Sequence, residues 1–418
     1  MYWLRRNLLK REWRRIQAAW RRGERLTLPL RLPSVFVTGS VGKTTTCRMV
    51  EHILAASGLT VGVSTTQGVF LGGRAIRIGD SSNCRYGSRL LLDRRVQAGV
   101  FELARGGLLT DGIAFDGCDV AAVLNVYDNH VGLNGVETRE QMARVKAQVA
   151  RAARKLAVLN ADDPLCLAMR DSLRADALGL VSMCSRNTAL QGHLLQGGMA
   201  AYLDRATWQL CLERDGERLC VVNARDVPAS FNGRFAPALS NALFAMLIAA
   251  GMGVATDTIA AAIRSFDSDA RSNPGRMNYR EDLPFRLLLT SCDGREAMAE
   301  LAALVRQIDV PGRKLLMTYA MGNRPDEYLR AMAGACAGAF DDYLCADAPE
   351  LRGRAAGETA ALLRQGLLEA GVEPACVTST ADHDAALREA FRRVRPGDLL
   401  VVQSFYSHRI HELGLLPG

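Results

Sequence analysis

The sequence lacks the features that would place it among membrane-spanning, secreted or zinc proteins. No apolar run approaches the roughly 20 residues of a membrane span, and no secretory signal opens the chain. The 11 cysteines, an odd number, include no C-x-x-C pair, which favours a reducing cytoplasm over a disulfide framework or a zinc site. With 418 residues, 49% hydrophobic and 23% charged, the composition is that of a globular protein of two or three domains.

Excess positive charge is absent from most of the chain. Residues 1–32 hold ten Lys or Arg and two Glu, whereas the rest holds 42 basic and 42 acidic side chains. The net charge of +8 therefore belongs to an N-terminal arm, predicted over residues 1–33. Because no aromatic stacking module accompanies this arm, we expect no nucleic-acid partner.

The arm has the pattern of a basic amphipathic helix. Leu9, Trp13, Ile16 and Trp20 fall at helical spacing, and arginines fill most of the other positions. Such a helix could dock on an anionic membrane surface or an acidic protein partner, which would place a cytoplasmic protein at the inner face of the membrane. Alternatively, it packs on its own protein body and leaves its arginines exposed. The sequence leaves both open.

From Pro33 onward, short apolar runs alternate with amphipathic stretches, which predicts a parallel α/β architecture. SVFVTG, VQAGVFEL, VAAVLNV and KLAVLNADD are predicted strands, TTTCRMVEHILAASG and NALFAMLIAAGMG are predicted helices, and residues 197–229 a β-rich insertion. The chain is broken again at Asn273-Pro274-Gly275, before the predicted strands FRLLLTS, RKLLMTYA and DLLVVQSF. We therefore expect a central parallel-sheet domain over residues 34–270 and a smaller, Rossmann-like α/β domain over residues 271–418.

A strand, a glycine loop and a helix follow one another in VFVTGSVGKTTTCRMV, residues 35–50. The general phosphate-loop spacing G-x-x-x-x-G-K-[ST] fails here, because Val37 stands where the first glycine should be. Gly39 and Gly42 still allow backbone N–H groups to approach a phosphate, Lys43 adds a positive charge and Thr44 a hydroxyl for Mg²⁺. The predicted ATP-binding residues of this loop are Gly39, Ser40, Val41, Gly42, Lys43, Thr44 and Thr45.

TGSVGKTTT resembles the shorter T-G-x-x-G-K-T loop of the Mur ligase superfamily. Further segments resemble the C-terminal, Mur-like half of cyanophycin synthetase in particular, in the same order from about residue 34 to about residue 402. They are VGVSTTQG, FELARGGLL, CDVAAVLNVYDNHVGL, VLNADDP, NPGRMN and LRGRAAGETAALLRQGL. We expect neither an ATP-grasp half nor a UDP-binding domain before them.

The resemblance implies an ATP- and Mg²⁺-dependent ligase that activates a small-molecule acid as an acyl phosphate and transfers it to an amine. Mg²⁺ would be held by Thr44, Glu102 and His130, and Lys43, His130, Lys146 and Arg276 would act in catalysis. Lys146 aligns with a lysine that many of these enzymes carbamylate, and Asn241 and Arg276 would contact ATP at the adenine side and the phosphates. Asn160 and Asp163 would shape the nucleotide cleft. Before His130 the family has Asp where this chain has Asn129, with Asp128 one place earlier.

The C-terminal segment departs from the family pattern. Where D-Y-A-H-N-P is common, this chain has Thr290-Ser291-Cys292-Asp293-Gly294-Arg295, and G-D-R-R-D-E becomes residues 322–327, GNRPDE. Asp293 could approach the nucleotide from a shifted position. Three hypotheses therefore stay open: an active amide ligase, a subunit of a membrane-associated poly-amino-acid synthetase, and a non-catalytic ATP-binding module. A homo-oligomer is compatible with each.

Overall fold

The computed structural model describes residues 2–24, 26–129, 131–406 and 408–416, without the side chains of residues 2–6, 9 and 20. The chain divides into two compact units, Met1–Asp267 and Ser268–Gly418. Each unit is built around its own sheet, parallel in its central part. The predicted fold class is confirmed: a phosphate-loop domain with a central parallel sheet is followed by a smaller α/β domain. The domain boundaries from the sequence stay a proposal about which parts fold independently.

In the described part of the first unit, eleven strands form one sheet. They are β1 (Ser34–Thr38), β2 (Val61–Thr65), β3 (Gly68–Leu71), β4 (Arg74–Ile78), β5 (Ala98–Glu102), β6 (Cys118–Val123), β7 (Ala153–Asn160), β8 (Ala177–Ser182), β9 (Met199–Asp204), β10 (Gln209–Arg214) and β11 (Glu217–Asn223). Their order is β11-β10-β9-β8-β7-β6-β1-β5-β2-β3-β4. The strands from β9 to β2 pair in parallel, and the hairpins at both edges are antiparallel. The predicted insertion at residues 197–229 is therefore a continuation of the main sheet.

The helices of this unit are α1 (Tyr2–Arg21), α2 (Lys43–Ala56), α3 (Cys84–Gly87), α4 (Arg105–Thr110), α5 (Arg139–Arg151), α6 (Pro164–Leu167), α7 (Thr188–Leu195), α8 (Ala236–Gly251) and α9 (Thr256–Ser265). Short 3-10 turns cover Ser88–Leu92, Ala168–Ser172, Ala224–Asp226 and Pro228–Ser230. Helix α5 begins with a capping box, in which Thr138 and Gln141 satisfy each other's backbone N–H groups. Helix α8 is apolar on nearly all sides and is correspondingly buried.

Local sequence explains the centre of the first sheet. Every residue of β1 is buried, because helices cover both faces of a central parallel strand and leave no polar side for alternation. Phe36 and Phe101, on the paired strands β1 and β5, meet edge to face with ring centroids 5.7 Å apart. This arrangement fixes the carboxyl ends of β1, β5 and β6 side by side. Those ends carry the candidate site.

Helix α1 packs on the body of the first unit. Trp13, Ile16 and Ala19 are 7%, 0% and 2% exposed. Trp13 and Ile16 belong to a cluster that includes Phe36, Phe101 and further apolar residues of the sheet face. This packing favours the second of the two alternatives for the arm. No helix in the described ranges is long and apolar enough to cross a membrane.

The second unit has six strands among its described residues: β12 (Asn278–Arg280), β13 (Arg286–Thr290), β14 (Lys314–Ala320), β15 (Asp342–Asp347), β16 (Val377–Thr380) and β17 (Leu399–Gln403). They are ordered β12-β13-β17-β14-β15-β16; the pairing of β12 with β13 is antiparallel, and the other four pairings are parallel. The helices are α10 (Arg295–Arg306), α11 (Asp326–Gly334), α12 (Glu358–Glu369), α13 (His383–Arg393) and α14 (Arg409–Glu412), with a 3-10 turn at Pro374–Cys376. The three predicted strands are β13, β14 and β17, which lie together in the centre.

Candidate nucleotide and metal site

The glycine loop runs from the end of β1 to the start of α2. Gly42 has a φ of 85°, which favours glycine, and a Cβ there would collide with the Asn241 side chain. A Cβ on Gly39 would lie 2.9 Å from the Cβ of Leu124. Val37 lies inside the buried strand. The loop is therefore shorter than the general phosphate loop, and its two glycines are required by close neighbours.

Asn125, just after β6, anchors the loop from the adjacent strand. Its Oδ1 accepts hydrogen bonds from the backbone N–H groups of Ser40 at 2.8 Å and Val41 at 2.9 Å. Its Nδ2 donates to the Val41 carbonyl at 3.3 Å. The sequence analysis did not single out Asn125. The available signal was its place directly after a strand that ends beside β1.

The start of α2 presents groups suited to an anion. The loop and the first helical turn supply backbone N–H groups, and the helix dipole adds partial positive charge at this end. The ammonium of Lys43 donates to the Ser40 carbonyl at 3.0 Å, which holds the side chain over the loop. The structure thus brings together the predicted residues Gly39 to Thr45 in an arrangement that can cradle phosphates. Asn241, predicted for the adenine side, reaches the same loop and accepts from Thr46 Oγ1 at 3.2 Å.

Glu102 forms a small cluster of oxygen ligands with two threonines. The carboxylate, 1% exposed at the end of β5, accepts from Thr44 Oγ1 at 2.8 Å. It also accepts from Thr66, through the backbone N–H at 3.0 Å and the hydroxyl at 2.8 Å. Mg²⁺ in phosphate-transfer sites is usually held by one or two carboxylates together with hydroxyls, waters and substrate phosphates. The donor set fits Mg²⁺, and Thr66 is a residue that the sequence analysis missed.

His130, the other predicted metal ligand, lies outside the described residues, so its role stays a prediction. The preceding Asn129 is 4% exposed, and its Nδ2 donates to the Ser40 carbonyl at 3.4 Å. Its Oδ1 has no hydrogen-bond partner among the described residues. Asp128 is exposed. Asn129, rather than Asp128, therefore faces the phosphate loop.

Lys146 is buried on the inner face of α5. Only 2% of the residue is exposed, and burial lowers the pKa of its ammonium group to about 7. The positive charges of Lys43 and Arg105 lower the pKa further, against opposing contributions from Cys166 and Asp163. A substantial fraction of this amine is therefore neutral at physiological pH. A neutral amine can react with CO₂, whereas an ammonium cannot.

The NADDP segment fixes the strand end that carries Asn125. Asn160 Nδ2 donates to the Leu124 carbonyl at 2.7 Å. Asp163 accepts from the Val126 N–H at 2.7 Å and caps α6 through its other oxygen. Both residues therefore act on the loop through the backbone on either side of Asn125.

In the second unit, the residues that depart from the family pattern lie in a network of ion pairs and hydrogen bonds. Asp293 pairs with Arg324 at 2.6 Å and accepts from the Tyr328 hydroxyl at 3.2 Å. Arg354 donates to the carbonyls of Gly322 and Arg324 at 2.7 and 2.6 Å. Asp293 was expected to contact the nucleotide from a shifted position. The structure gives it another role, because both of its carboxylate oxygens bind residues of this unit.

Arg276 lies next to this network. Its guanidinium donates to the Ser291 carbonyl at 3.0 Å and lies over the Phe405 ring, 5.3 Å from the centroid. Ser291 Oγ in turn donates to the Gly275 carbonyl at 2.9 Å. The NPGR segment is thus joined to the loop after β13. The predicted phosphate contact of Arg276 stays a prediction.

Comparison with protein families decides the relationship. Residues 37–249 match the model of the Mur ligase middle domain. The chain belongs to the Mur ligase family. The sequence-based recognition of this family, from the loop and the colinear motifs, is confirmed.

Among curated relatives, this Mur ligase family member is similar to part of the cyanophycin synthetases. It is 35% identical over 380 residues to the cyanophycin synthetase of Crocosphaera subtropica and 33% identical over 376 residues to that of Synechocystis sp.. Each match covers 90% of this chain but only 42% of the relative, so the chain spans less than half of the length of these proteins.

Solved structures show the same fold. MurF from Acinetobacter baumannii matches with a TM-score of 0.60 and 19% identity, over 92% of this chain and 76% of that chain. The bifunctional folylpolyglutamate synthase/dihydrofolate synthase from Yersinia pestis matches with a TM-score of 0.64 and 21% identity, over 91% and 89%. At these identities, the two similarities show the fold of this chain and no more.

Proposed function

We propose that this protein is an ATP- and Mg²⁺-dependent ligase that forms an amide bond between an amino-acid or peptide carboxylate and an amine. The observation that carries the proposal is the contact of Thr44 and Thr66 with Glu102 beside the glycine loop, at 2.8 Å for each hydroxyl. A structural ion site would not need an adjacent anion cradle at a helix start. Together, these groups suit the transfer of a phosphoryl group.

The proposed reaction has two balanced steps. A carboxylate oxygen of the acid attacks the γ-phosphorus of ATP, and ADP leaves, which gives an acyl phosphate. The amine nitrogen then attacks the acyl carbon, phosphate leaves, and the nitrogen loses a proton. When bound, Mg²⁺ would neutralise charge on the phosphates and keep the reacting groups aligned.

Residues of this chain have distinct proposed roles in these steps. Lys43 and the N–H groups of the loop hold the phosphates, while Thr44, Thr66 and Glu102 hold Mg²⁺. Lys146, as the amine or as its carbamate, sets the charge beside Lys43. His130 and Arg276 keep the roles that the family resemblance implies.

The test is ADP release with ATP and Mg²⁺ across pooled amino acids, short peptides and amines, with mass spectrometry of the products. We expect acid-dependent ADP release together with a condensed amide. Glu102→Gln should lower this rate about 100-fold, because the carboxylate that holds the metal is lost. Glu217→Gln, an exposed carboxylate on β11, is the matched control. An unchanged rate in Glu102→Gln, with the fold intact, would remove this cluster from the mechanism.

One observation favours a second candidate, a non-catalytic ATP-binding module. Arg324 and Tyr328 already bind both carboxylate oxygens of Asp293 within the second unit. Such a module would bind ATP by calorimetry and release no ADP with any acid and amine in the same screen.

A further inference from the structure

Helix α1 presents two different faces, and one is already used by the protein itself. Trp13, Ile16 and Ala19 are buried, and Trp13 and Ile16 lie in the core cluster that also holds Leu28 and Leu30. An amphipathic helix binds a membrane by burying its apolar face among the lipids. In this protein, the described part of that face is not available without unpacking the helix.

The outward face of α1 is cationic from Lys10 to the end of the helix. Two rows at spacings of four and seven residues run along it, Lys10, Arg14 and Arg21 in one and Arg11 and Arg15 in the other, which Arg22 continues just after the helix; all six residues are exposed. Arg15 lies 3.9 Å from Glu12, and Arg22 lies 2.8 Å from Glu24. Within the described ranges, the other four have no carboxylate at ion-pair distance. They are Lys10, Arg11, Arg14 and Arg21.

The geometry points to an extended polycarboxylate peptide as the partner of this cationic face. Lys10 and Arg21 are eleven residues apart, about 16 Å along the helix, which about five extended peptide residues span. Carboxylates on one side of an extended peptide recur about every 6.7 Å, close to the roughly 6 Å rise between Lys10 and Arg14 and shorter than the roughly 10.5 Å rise between Arg14 and Arg21. Guanidinium groups also pair with carboxylates through two hydrogen bonds.

This inference rests on the proposed function, since the peptide is the growing acid substrate or product of the ligase. Helix α1 and the strand that carries Glu102 share one apolar cluster, through Trp13 and Phe101. A peptide on the cationic face is therefore held by the same compact unit that carries the phosphate loop. The cationic face keeps the growing peptide bound between successive ligation reactions and contributes no catalytic group.

The experiment measures binding without ATP, so it does not depend on turnover. Fluorescent poly-L-glutamate of about 20 residues is titrated with the full chain and with Lys10→Gln/Arg11→Gln/Arg14→Gln/Arg21→Gln. The matched control removes four exposed arginines elsewhere in the unit: Arg144→Gln/Arg174→Gln/Arg186→Gln/Arg225→Gln. Exposed ion pairs are individually weak, so we expect about tenfold weaker binding for the first variant and less than about twofold for the control. Binding to the unaltered chain should fall between about 50 and about 200 mM salt.

Several results would overturn the inference. Equal loss in both variants would show that only net charge matters, and equal binding in both would show that the cationic face is not used. Retention on phosphatidylglycerol vesicles without poly-L-glutamate binding would assign the face to a membrane. Circular dichroism checks both folds, and ADP release with short substrates should be equal in both variants. If the unaltered chain releases no ADP with any acid and amine, the proposed ligase activity is contradicted, and the peptide-binding result still stands.

Discussion

Replacing Asn125 by Ala should weaken ATP binding while leaving the fold intact. Oδ1 of this residue accepts two hydrogen bonds from the phosphate loop, from Ser40 at 2.8 Å and Val41 at 2.9 Å. Ala removes both and frees the loop to move. A preorganised loop binds better because less ordering is needed when the ligand arrives.

The magnitude follows from the bonds lost. A hydrogen bond between neutral groups contributes about 0.5–1.5 kcal/mol, so the two together contribute about 1–3 kcal/mol. The Ser40 N–H keeps its bond to the Asn125 carbonyl at 3.1 Å, which limits the loss. We expect about 1.4 kcal/mol to appear in ATP binding, which is a tenfold higher Kd.

The assay is calorimetric titration of ATP with Mg²⁺ into each variant, with thermal unfolding as a check on the fold. Asn223→Ala is the matched control, because Asn223 also accepts from a backbone N–H, that of Arg225 at 2.9 Å, and belongs to β11 instead of the loop. Unaltered ATP affinity in a folded Asn125→Ala variant would refute the view that this side chain orders the loop.

Three further perturbations test other features. The pKa of Lys146 is about 7 in the folded protein and the usual 10.5 in the unfolded chain, so the free energy of unfolding should rise by about 1.4 kcal/mol per pH unit between these values. Chemical unfolding in CO₂-free buffer at about pH 7.5 and 9 should show this rise, and the Lys146→Met variant should lack it. Ile16→Ala should destabilise the first unit by about 2–4 kcal/mol and lower its thermal midpoint. Leu8→Ala is the control: Leu8 is 54% exposed, so its loss should change stability by less than about 0.5 kcal/mol. Equal effects of the two substitutions would contradict the packing of α1. Asp293→Asn should destabilise the second unit by about 1–3 kcal/mol and leave the Kd for ATP within about twofold; a large loss of ATP affinity would instead place Asp293 at the nucleotide.

Much of the site was predictable because its signals are local. The glycine loop, Lys43 and Thr44 form one contiguous motif between a strand and a helix, and Glu102 stands at a recognisable strand end. The same holds for the central strands of both sheets, whose apolar runs are bounded by polar residues. These features depend on residues close together in the chain.

Thr66 and Asn125 were missed for a physical reason. Their contacts arise because β1 lies between β6 and β5, with β2 on the far side of β5. One sequence without this strand order does not show which strand ends meet. Strand β4, at one edge of the first sheet, was missed for a related reason, since it is almost entirely exposed and lacks the apolar run that identifies a buried strand.

The contact of α8 with the phosphate loop has a consequence for folding. Asn241 bonds Thr46 across 195 residues of chain, and Ser40 bonds Asn125 across 85. Contacts so distant in sequence form slowly, because a long segment must be closed before they contribute free energy. During synthesis, the loop emerges early but acquires its neighbour on α8 only after most of the first unit has left the ribosome. Nucleotide affinity should therefore be gained late, as a kinetic marker that the first unit has completed its fold.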